Sequence, residues 1–165
     1  MNNNQNKKDM KEKILEAFRD LGFKLEEEEG MGYCFNYEGL NLLYMYNEND
    51  EEFLNIALPG IVEVEEDKML QICALLEKIN STLKYVKTYM LGNSVWLFYE
   101  RELFGEEDLM TVISRMILHL EAGLVFARKA MAEIEETMTS DSSDDDTTDE
   151  AEEIVVEEIS DDGDN

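Results

Sequence analysis

Two apolar segments joined by the dipeptide Gly92-Asn93 constrain the fold of this chain more than any other feature. Both segments, 83–91 and 94–100, are rich in aromatic and aliphatic residues, and a two-residue loop of this composition favours a β-hairpin. A loop of this length also fixes the register of the two strands. It predicts the pairs Leu91–Ser94, Met90–Val95, Tyr89–Trp96, Thr88–Leu97, Lys87–Phe98 and Val86–Tyr99. The chain is therefore expected to contain an antiparallel sheet.

Side-chain alternation along this hairpin gives it two apolar faces. One face is predicted to carry Val86, Met90, Val95 and Leu97. The other is predicted to carry four aromatic residues with Lys87 among them, namely Tyr85, Tyr89, Trp96 and Phe98. An antiparallel sheet that is covered on one side usually has a polar outer face. Two interpretations follow: helices cover both faces, or the aromatic face is open to a partner protein or a second subunit.

The rest of the chain adds three helices and three strands. Apolar residues at helical spacing predict helices from Met10 to Leu21, from near Glu66 to Ile79 and from Glu106 to about Glu136. Period-two alternation predicts strands at Gly32–Tyr37, Leu40–Tyr46 and Phe53–Leu58, the last of them ended by Pro59-Gly60. The predicted fold class is α+β, with the order α-β-β-β-α-β-β-α and helices packed on a five-stranded antiparallel sheet.

Charge divides the chain into a domain and a tail. Residues 137–165 hold 13 of the 40 acidic residues and no basic one, and their apolar content is too low to offset the entropy of ordering. We therefore expect a disordered acidic tail at 137–165, a disordered start at 1–6 and a folded domain at 7–136. The 27 acidic residues before the tail face all 14 basic ones, so that part has a net charge of −13.

The overall net charge of −26 argues against two classes of ligand. A chain with this excess cannot neutralise nucleic-acid phosphates and is repelled by anionic lipid surfaces. No apolar run approaches the roughly 20 residues of a membrane span either. We expect no nucleic-acid and no membrane partner.

Residues that could carry catalysis are few. A single histidine, His119, excludes most Ser-His-Asp, Cys-His and multi-histidine metal schemes. The thiols of Cys34 and Cys73 lack a CxxC motif, which predicts free, buried cysteines in a reducing cytoplasm. Four consecutive carboxylates at Glu26–Glu29 are typical of a solvated turn rather than a metal site. We expect no catalytic, cofactor-binding or metal-binding residue, and hence no enzyme.

Three segments, read with the closing helix, resemble a known family. They are LGFKLEEEEGMGYCFNYEG at 21–39, LNIALPGIVEVEEDKML at 54–70 and INSTLKYVKTYMLGNSVWLFYE at 79–100. This layout is similar to that of the YbjN family, which is also described as bacterial sensory transduction regulators. The resemblance implies a fold like that of type III secretion chaperones and a small, cytoplasmic, non-enzymatic protein that is often a dimer. The long acidic tail is not part of the family pattern.

These observations leave two functional hypotheses beside a less favoured small enzyme. The first is a protein-binding, chaperone-like or regulatory module that acts through its sheet as a homodimer or on another polypeptide. Its candidate binding residues are Tyr85, Tyr89, Trp96 and Phe98. The second is a signalling regulator whose acidic tail controls access to that surface, with Ile154–Val156 as an internal ligand.

Overall fold

The computed structural model describes the backbone of residues 3–141 and the side chains of residues 10–140. It has three helices and six strands in the described part of the chain. Their bounds are α1 Asn3–Asp20, β1 Glu26–Glu28, β2 Gly32–Tyr37, β3 Leu40–Met45, β4 Phe53–Glu63, α2 Met69–Thr82, β5 Val86–Leu91, β6 Ser94–Glu102 and α3 Leu109–Asp141. A short 3-10 turn, Glu66–Lys68, leads into α2.

All six strands form one antiparallel sheet in the order β1-β2-β3-β4-β6-β5. The α+β class is confirmed, and so is the register of the second hairpin. Every pair from Leu91–Ser94 to Val86–Tyr99 lies where the two-residue loop predicts it. A short turn therefore sets strand pairing from local chemistry alone.

The three helices pack on one face of the sheet and form the main core there. Phe18 of α1 contacts the rings of Phe35 and Tyr44 at centroid distances of 4.9 and 5.5 Å. Phe35 and Tyr44 of the first hairpin therefore lie in the main core. Helices α2 and α3 contribute Leu75, Ile79, Ile113, Met116, Ile117, Leu120 and Leu124 to the same cluster. Gly123 of α3 permits close packing, since a Cβ there would lie 3.3 Å from Leu97 Cδ1.

The sheet has six strands rather than the predicted five, because part of the acidic run forms the edge strand β1. Residues Glu26–Glu28 pair with Gly32–Cys34 of β2, so the prediction of a solvated turn was wrong for them. Strand pairing uses backbone groups, and exposed carboxylates do not prevent it at a sheet edge.

Strand β4 continues through Pro59-Gly60 instead of ending there. Its register against β6 shifts between Leu58 and Val62, because an advance of four residues along β4 lies opposite an advance of only two residues along β6. Proline is tolerated inside a strand at such an irregularity because its missing N–H interrupts no ladder bond. Gly60 adopts a φ of 62° in this bulge. The predicted strand end is therefore wrong by five residues.

Helix α2 buries several of its apolar side chains but leaves Cys73 exposed. Ile72, Leu75 and Ile79 are buried, whereas Cys73 is exposed. Successive residues are 100° apart around a helix, which turns Cys73 away from that buried stripe. Cys34 is half-buried on β2. The prediction of two buried thiols fails for Cys73.

The predicted chain boundaries differ from the helix ends. Helix α1 begins at Asn3, inside the segment 1–6, and α3 continues to Asp141, past the predicted domain end at Glu136. The remaining tail, including Ile154–Val156, lies outside the described residues. By length and composition α3 is long and apolar enough to span a membrane, contrary to the expectation from the sequence. One such helix is weak evidence for a membrane span, because the core helix of a soluble protein has the same length and composition. Its inner stripe lies in the main core.

Candidate protein-binding face

The sheet face opposite the helices carries a second, smaller apolar cluster. Its centre is Leu43, Ala57 and Phe98, and its half-buried members are Cys34, Met45 and Trp96. No described helix residue belongs to it. We define the open face as these six residues together with Tyr89. The interpretation that helices cover both faces is therefore wrong for the described part of the chain.

Strand register explains how residues distant in sequence reach this face. Cys34 pairs with Leu43, Leu43 with Ala57, and Ala57 with Phe98. Phe98 in turn pairs with Lys87 on the edge strand β5. Cross-strand partners share a face, so these pairs form one continuous row across five strands.

Three of the predicted binding residues are stacked in the open face. The Tyr89 ring lies parallel to that of Phe98, with centroids 4.1 Å apart and an interplanar angle of 4°. Trp96 stacks on Phe98 at 5.9 Å and 15°, and its Nε1 donates to Ser94 Oγ at 2.9 Å. Tyr89 is 40% exposed, whereas Phe98 is buried beneath it. Burial raises the pKa of the Tyr89 hydroxyl, and the nearby Glu100 carboxylate adds to the rise. The result is a preformed aromatic surface.

Tyr85, the fourth predicted residue, lies on the opposite side of the sheet. Its φ of 70° turns the chain just before β5 begins. The Tyr85 ring stacks on Tyr99 at 5.7 Å and 7° and meets His119 of α3 edge-on at 5.4 Å. Tyr99 belongs to the main core on the helix side. Extending strand alternation to residue 85 was wrong because the strand starts only at Val86.

The charges beside the open face are mainly acidic. Lys87 forms an ion pair with Glu100, and Asn55 Nδ2 donates to Glu100 Oε1 at 2.8 Å. At the β1 edge, Glu26 pairs with Cys34 in the sheet register. Burial raises the pKa of the Cys34 thiol, and Glu28 and Glu26 raise it further. This thiol is therefore held in its neutral, weakly reactive form.

A groove of about 580 Å³ adjoins the acidic end of the open face. Met45, Asn55 and Glu100 lie in both the groove wall and the sheet surface. Met31, Asp50 and Phe53 form other parts of the wall. Sequence reasoning missed this groove, although alternation along β4 puts Phe53, Asn55 and Ala57 on one face. The loops that close it come from distant parts of the chain.

Both edges of the sheet are protected, unlike its open face. The β1 edge is three residues long and entirely glutamate, a composition that discourages pairing with another strand. At the β5 edge, Asn80 Oδ1 accepts from the Thr88 N–H at 2.8 Å, and Asn80 Nδ2 donates to the Thr88 carbonyl at 3.0 Å. The face is thus more accessible to a partner than either edge.

The described side chains do not assemble a metal centre. They contain no group of three or more His, Cys, Asp or Glu residues placed to hold a metal ion. His119 Nδ1 lies 2.7 Å from the Arg115 carbonyl one helical turn away. The ring is otherwise packed against Tyr85 and Tyr99, with Tyr99 at 5.6 Å. This histidine has a packing role in the fold.

Comparison with known proteins identifies the fold. No family model matches the sequence, and no curated protein matches it. YbjN, "a putative transcription regulator from E. coli", shares 14% identity with a TM-score of 0.54, covering 70% of this chain and 89% of that protein. An uncharacterised protein from Methanothermobacter thermautotrophicus shares 18% identity with a TM-score of 0.49, covering 78% of this chain and 98% of that one. The chain therefore has a YbjN-like α+β fold.

Proposed function

We propose that this protein is a non-enzymatic binding module that docks another polypeptide on its open face. The observation that carries the proposal is the stacked Tyr89–Phe98–Trp96 surface on a sheet side without a described helix. Tyr and Trp are enriched in protein interfaces because each supplies a large apolar area and loses little conformational freedom on binding. A module of this kind acts on its partner by binding alone and catalyses no reaction.

A regulatory role agrees with this kind of surface. The structural neighbour YbjN is described as "a putative transcription regulator", and a binding module can regulate through a protein partner. Direct contact with nucleic acid is disfavoured by a net charge of −26. We propose a cytoplasmic regulator that acts on a protein.

Two other occupants of the open face fit its charges less well. A second copy would bring a second set of acidic residues, including Glu26 and Glu100, against the same surface. The acidic tail would meet one basic residue of the hairpin face, Lys87, which is already paired with Glu100. Like charges brought together at an interface reduce affinity. Homodimerisation and tail docking therefore remain outcomes that the experiment distinguishes.

The experiment compares three forms of the full chain in extracts of the native host. The face variant combines Tyr89→Ser with Trp96→Ser. The matched control combines Leu118→Ser with Val125→Ser on the outer side of α3, where these side chains are 52% and 64% exposed. A docked partner should be captured by the wild type and the control but at least fivefold less by the face variant.

Light scattering of the same three proteins resolves the other occupants. A dimer that only the face variant disrupts would identify a second copy as the occupant. Removal of residues 137–165 should raise partner capture if the tail competes for the face. Equal capture by all three proteins, with unchanged mass, would contradict docking on the open face.

A further inference from the structure

We infer that the groove beside the open face binds a cationic side chain, lysine or arginine, of a basic and apolar partner segment. This inference rests on the proposed function, because it assigns the partner's chemistry at the same surface. It begins from the groove wall, where Asp50, Asn55 and Glu100 supply oxygen atoms and no described lysine or arginine is a lining residue. Lys87 pairs with Glu100 from outside the groove, so Asp50 is the carboxylate of the wall that has no lysine or arginine partner among the described ion pairs.

Asn55 contains the most informative acceptor. Its Nδ2 donates to Glu100 Oε1 at 2.8 Å, and a carboxylate can only accept, so the orientation of the amide is fixed. This leaves Asn55 Oδ1 buried and without a hydrogen-bond partner among the described residues. A buried acceptor left unpaired is costly, and a bound donor would remove that cost.

The other walls suit the stem of such a side chain. Met31, Met45 and Phe53 line the groove with apolar atoms, and Phe53 and Met31 are partly exposed at its rim. Lysine and arginine combine an aliphatic stem with a terminal group that only donates hydrogen bonds. Their stem can contact the two methionines while the charged end lies beside the exposed Asp50 carboxylate. Asn55 Oδ1 is enclosed in this structure, so the charged end reaches it only when the side chains around it move.

Charge complementarity selects the partner. The domain before residue 137 carries 27 acidic and 14 basic residues, which leaves a net charge of −13. At the open face Glu26 and Glu100 are paired with Lys24 and Lys87, so the field comes from the excess of carboxylates over the whole domain. A basic segment is attracted to this field, whereas a second copy or the acidic tail is repelled by it. The open face supplies apolar contacts beside the groove, so the segment should carry apolar as well as basic residues.

The test uses a fluorescently labelled ten-residue peptide of alternating arginine and leucine as the probe. Anisotropy measures its binding to the full-length protein, beside a glutamate–leucine and an arginine–serine peptide. We expect the arginine–leucine peptide to bind at least tenfold more tightly than either. Comparable binding of the glutamate–leucine peptide would overturn the inference.

Matched variants locate the binding site. Glu100→Gln and Asp50→Asn each remove one negative charge at the groove, while Glu16→Gln removes one from exposed α1 on the helix side. We expect the groove variants to weaken binding about fivefold and Glu16→Gln less than twofold. Equal weakening by all three would mean general attraction to net charge and would overturn the inference. Circular dichroism verifies that each variant is folded, and Asp50 is exposed enough for its variant to keep the fold.

Tyr89→Ser separates this inference from the proposed function. If Tyr89→Ser weakens peptide binding but Glu100→Gln and Asp50→Asn do not, docking on the face stands and the groove inference fails. If the groove variants weaken binding and Tyr89→Ser does not, the groove inference stands and docking on the aromatic face fails.

Discussion

The side-chain amide of Asn80 pairs with the backbone of Thr88 as a neighbouring strand would. It accepts the Thr88 N–H at 2.8 Å and donates to the Thr88 carbonyl at 3.0 Å, on the side of β5 where no strand of the described residues pairs with it. Asn80 lies at the end of α2, so the helix terminus and the sheet edge are joined by these two bonds. An exposed edge strand is a template for unwanted pairing with another chain. The Asn80 side chain occupies the backbone groups of Thr88, near the middle of edge strand β5.

Replacing Asn80 by alanine should expose this edge. Loss of two hydrogen bonds is expected to lower the free energy of unfolding by about 1–2 kcal/mol. Urea unfolding measures that change, and light scattering should show increased self-association of the variant. Ser81→Ala, one residue along the chain, should leave both properties nearly unchanged. An Asn80 variant as stable and as monodisperse as wild type would contradict an edge-protecting role.

Gly32 is required for a close approach of two strands. Its φ is 140°, and a Cβ at this position would lie 2.0 Å from the Tyr44 carbonyl oxygen. Gly32→Ala should therefore destabilise the fold by about 3 kcal/mol or more, through both conformational strain and a backbone clash. Gly30→Ala is the control, since Gly30 also has a positive φ of 78° but no atom near its Cβ position. Thermal unfolding should show a loss of about 1 kcal/mol for Gly30→Ala. Similar losses for both would exclude the clash as the cause.

Tyr85 combines a favourable ring contact with an unfavourable backbone conformation. Tyr85→Ala removes the stacking on Tyr99 and keeps the strain of a left-handed φ, whereas Tyr85→Gly removes the stacking and also the strain, because glycine adopts this φ readily. The glycine variant should be the more stable of the two by about 1 kcal/mol in chemical denaturation. At Lys84, whose φ is not positive, the order should be reversed. An alanine variant of Tyr85 as stable as the glycine variant would argue against strain at this position.

Glu107 links the end of β6 to the start of α3 and should make stability depend on pH. Its carboxylate accepts the Phe104 and Gly105 N–H groups at 2.7 and 2.9 Å. These bonds, the Phe104 one first, hold the pKa of Glu107 below its ordinary value. In the unfolded chain a glutamate carboxyl has a pKa of about 4.3. Because the pKa of Glu107 is lower than this in the folded protein, its contribution to stability is fully present above the unfolded pKa. That contribution is lost as the pH falls through the pKa of the folded state.

The corresponding variant is Glu107→Gln. It should lose about 1 kcal/mol of unfolding free energy at pH 7 and approach wild type at acidic pH. Denaturation across pH 2.5–7 measures the difference, with Glu106→Gln as the neighbouring control. A difference between Glu107→Gln and wild type that stays constant over this range would contradict the proton linkage.

Much of this fold could be predicted from local patterns. The Gly92-Asn93 loop predicted the hairpin register correctly. Helical periodicity predicted the end of α1, both ends of α2 and the start of α3 to within a few residues. Edge strand β1 escaped prediction because pairing through backbone groups leaves no apolar signal in three glutamates. The passage of β4 through Pro59 was missed because tolerance of proline depends on a bulge that forms against β6.

Part of the candidate site could also be predicted from local patterns. Tyr89, Trp96 and Phe98 share a face because strand alternation is a local property. Tyr85 does not join them, since its positive φ breaks the alternation, and the groove was missed because Asp50, Asn55 and Glu100 meet only in the folded sheet.

By itself the sequence determined which side chains share each strand face, because pleating and turn length act over neighbouring residues. Only the tertiary structure decided that α1, α2 and α3 all lie on one side of the sheet. The placement of the helices depends on how all three pack together on one apolar face of the sheet, which involves residues far apart in the sequence. It leaves the Tyr89–Phe98–Trp96 surface as the opposite side of the sheet.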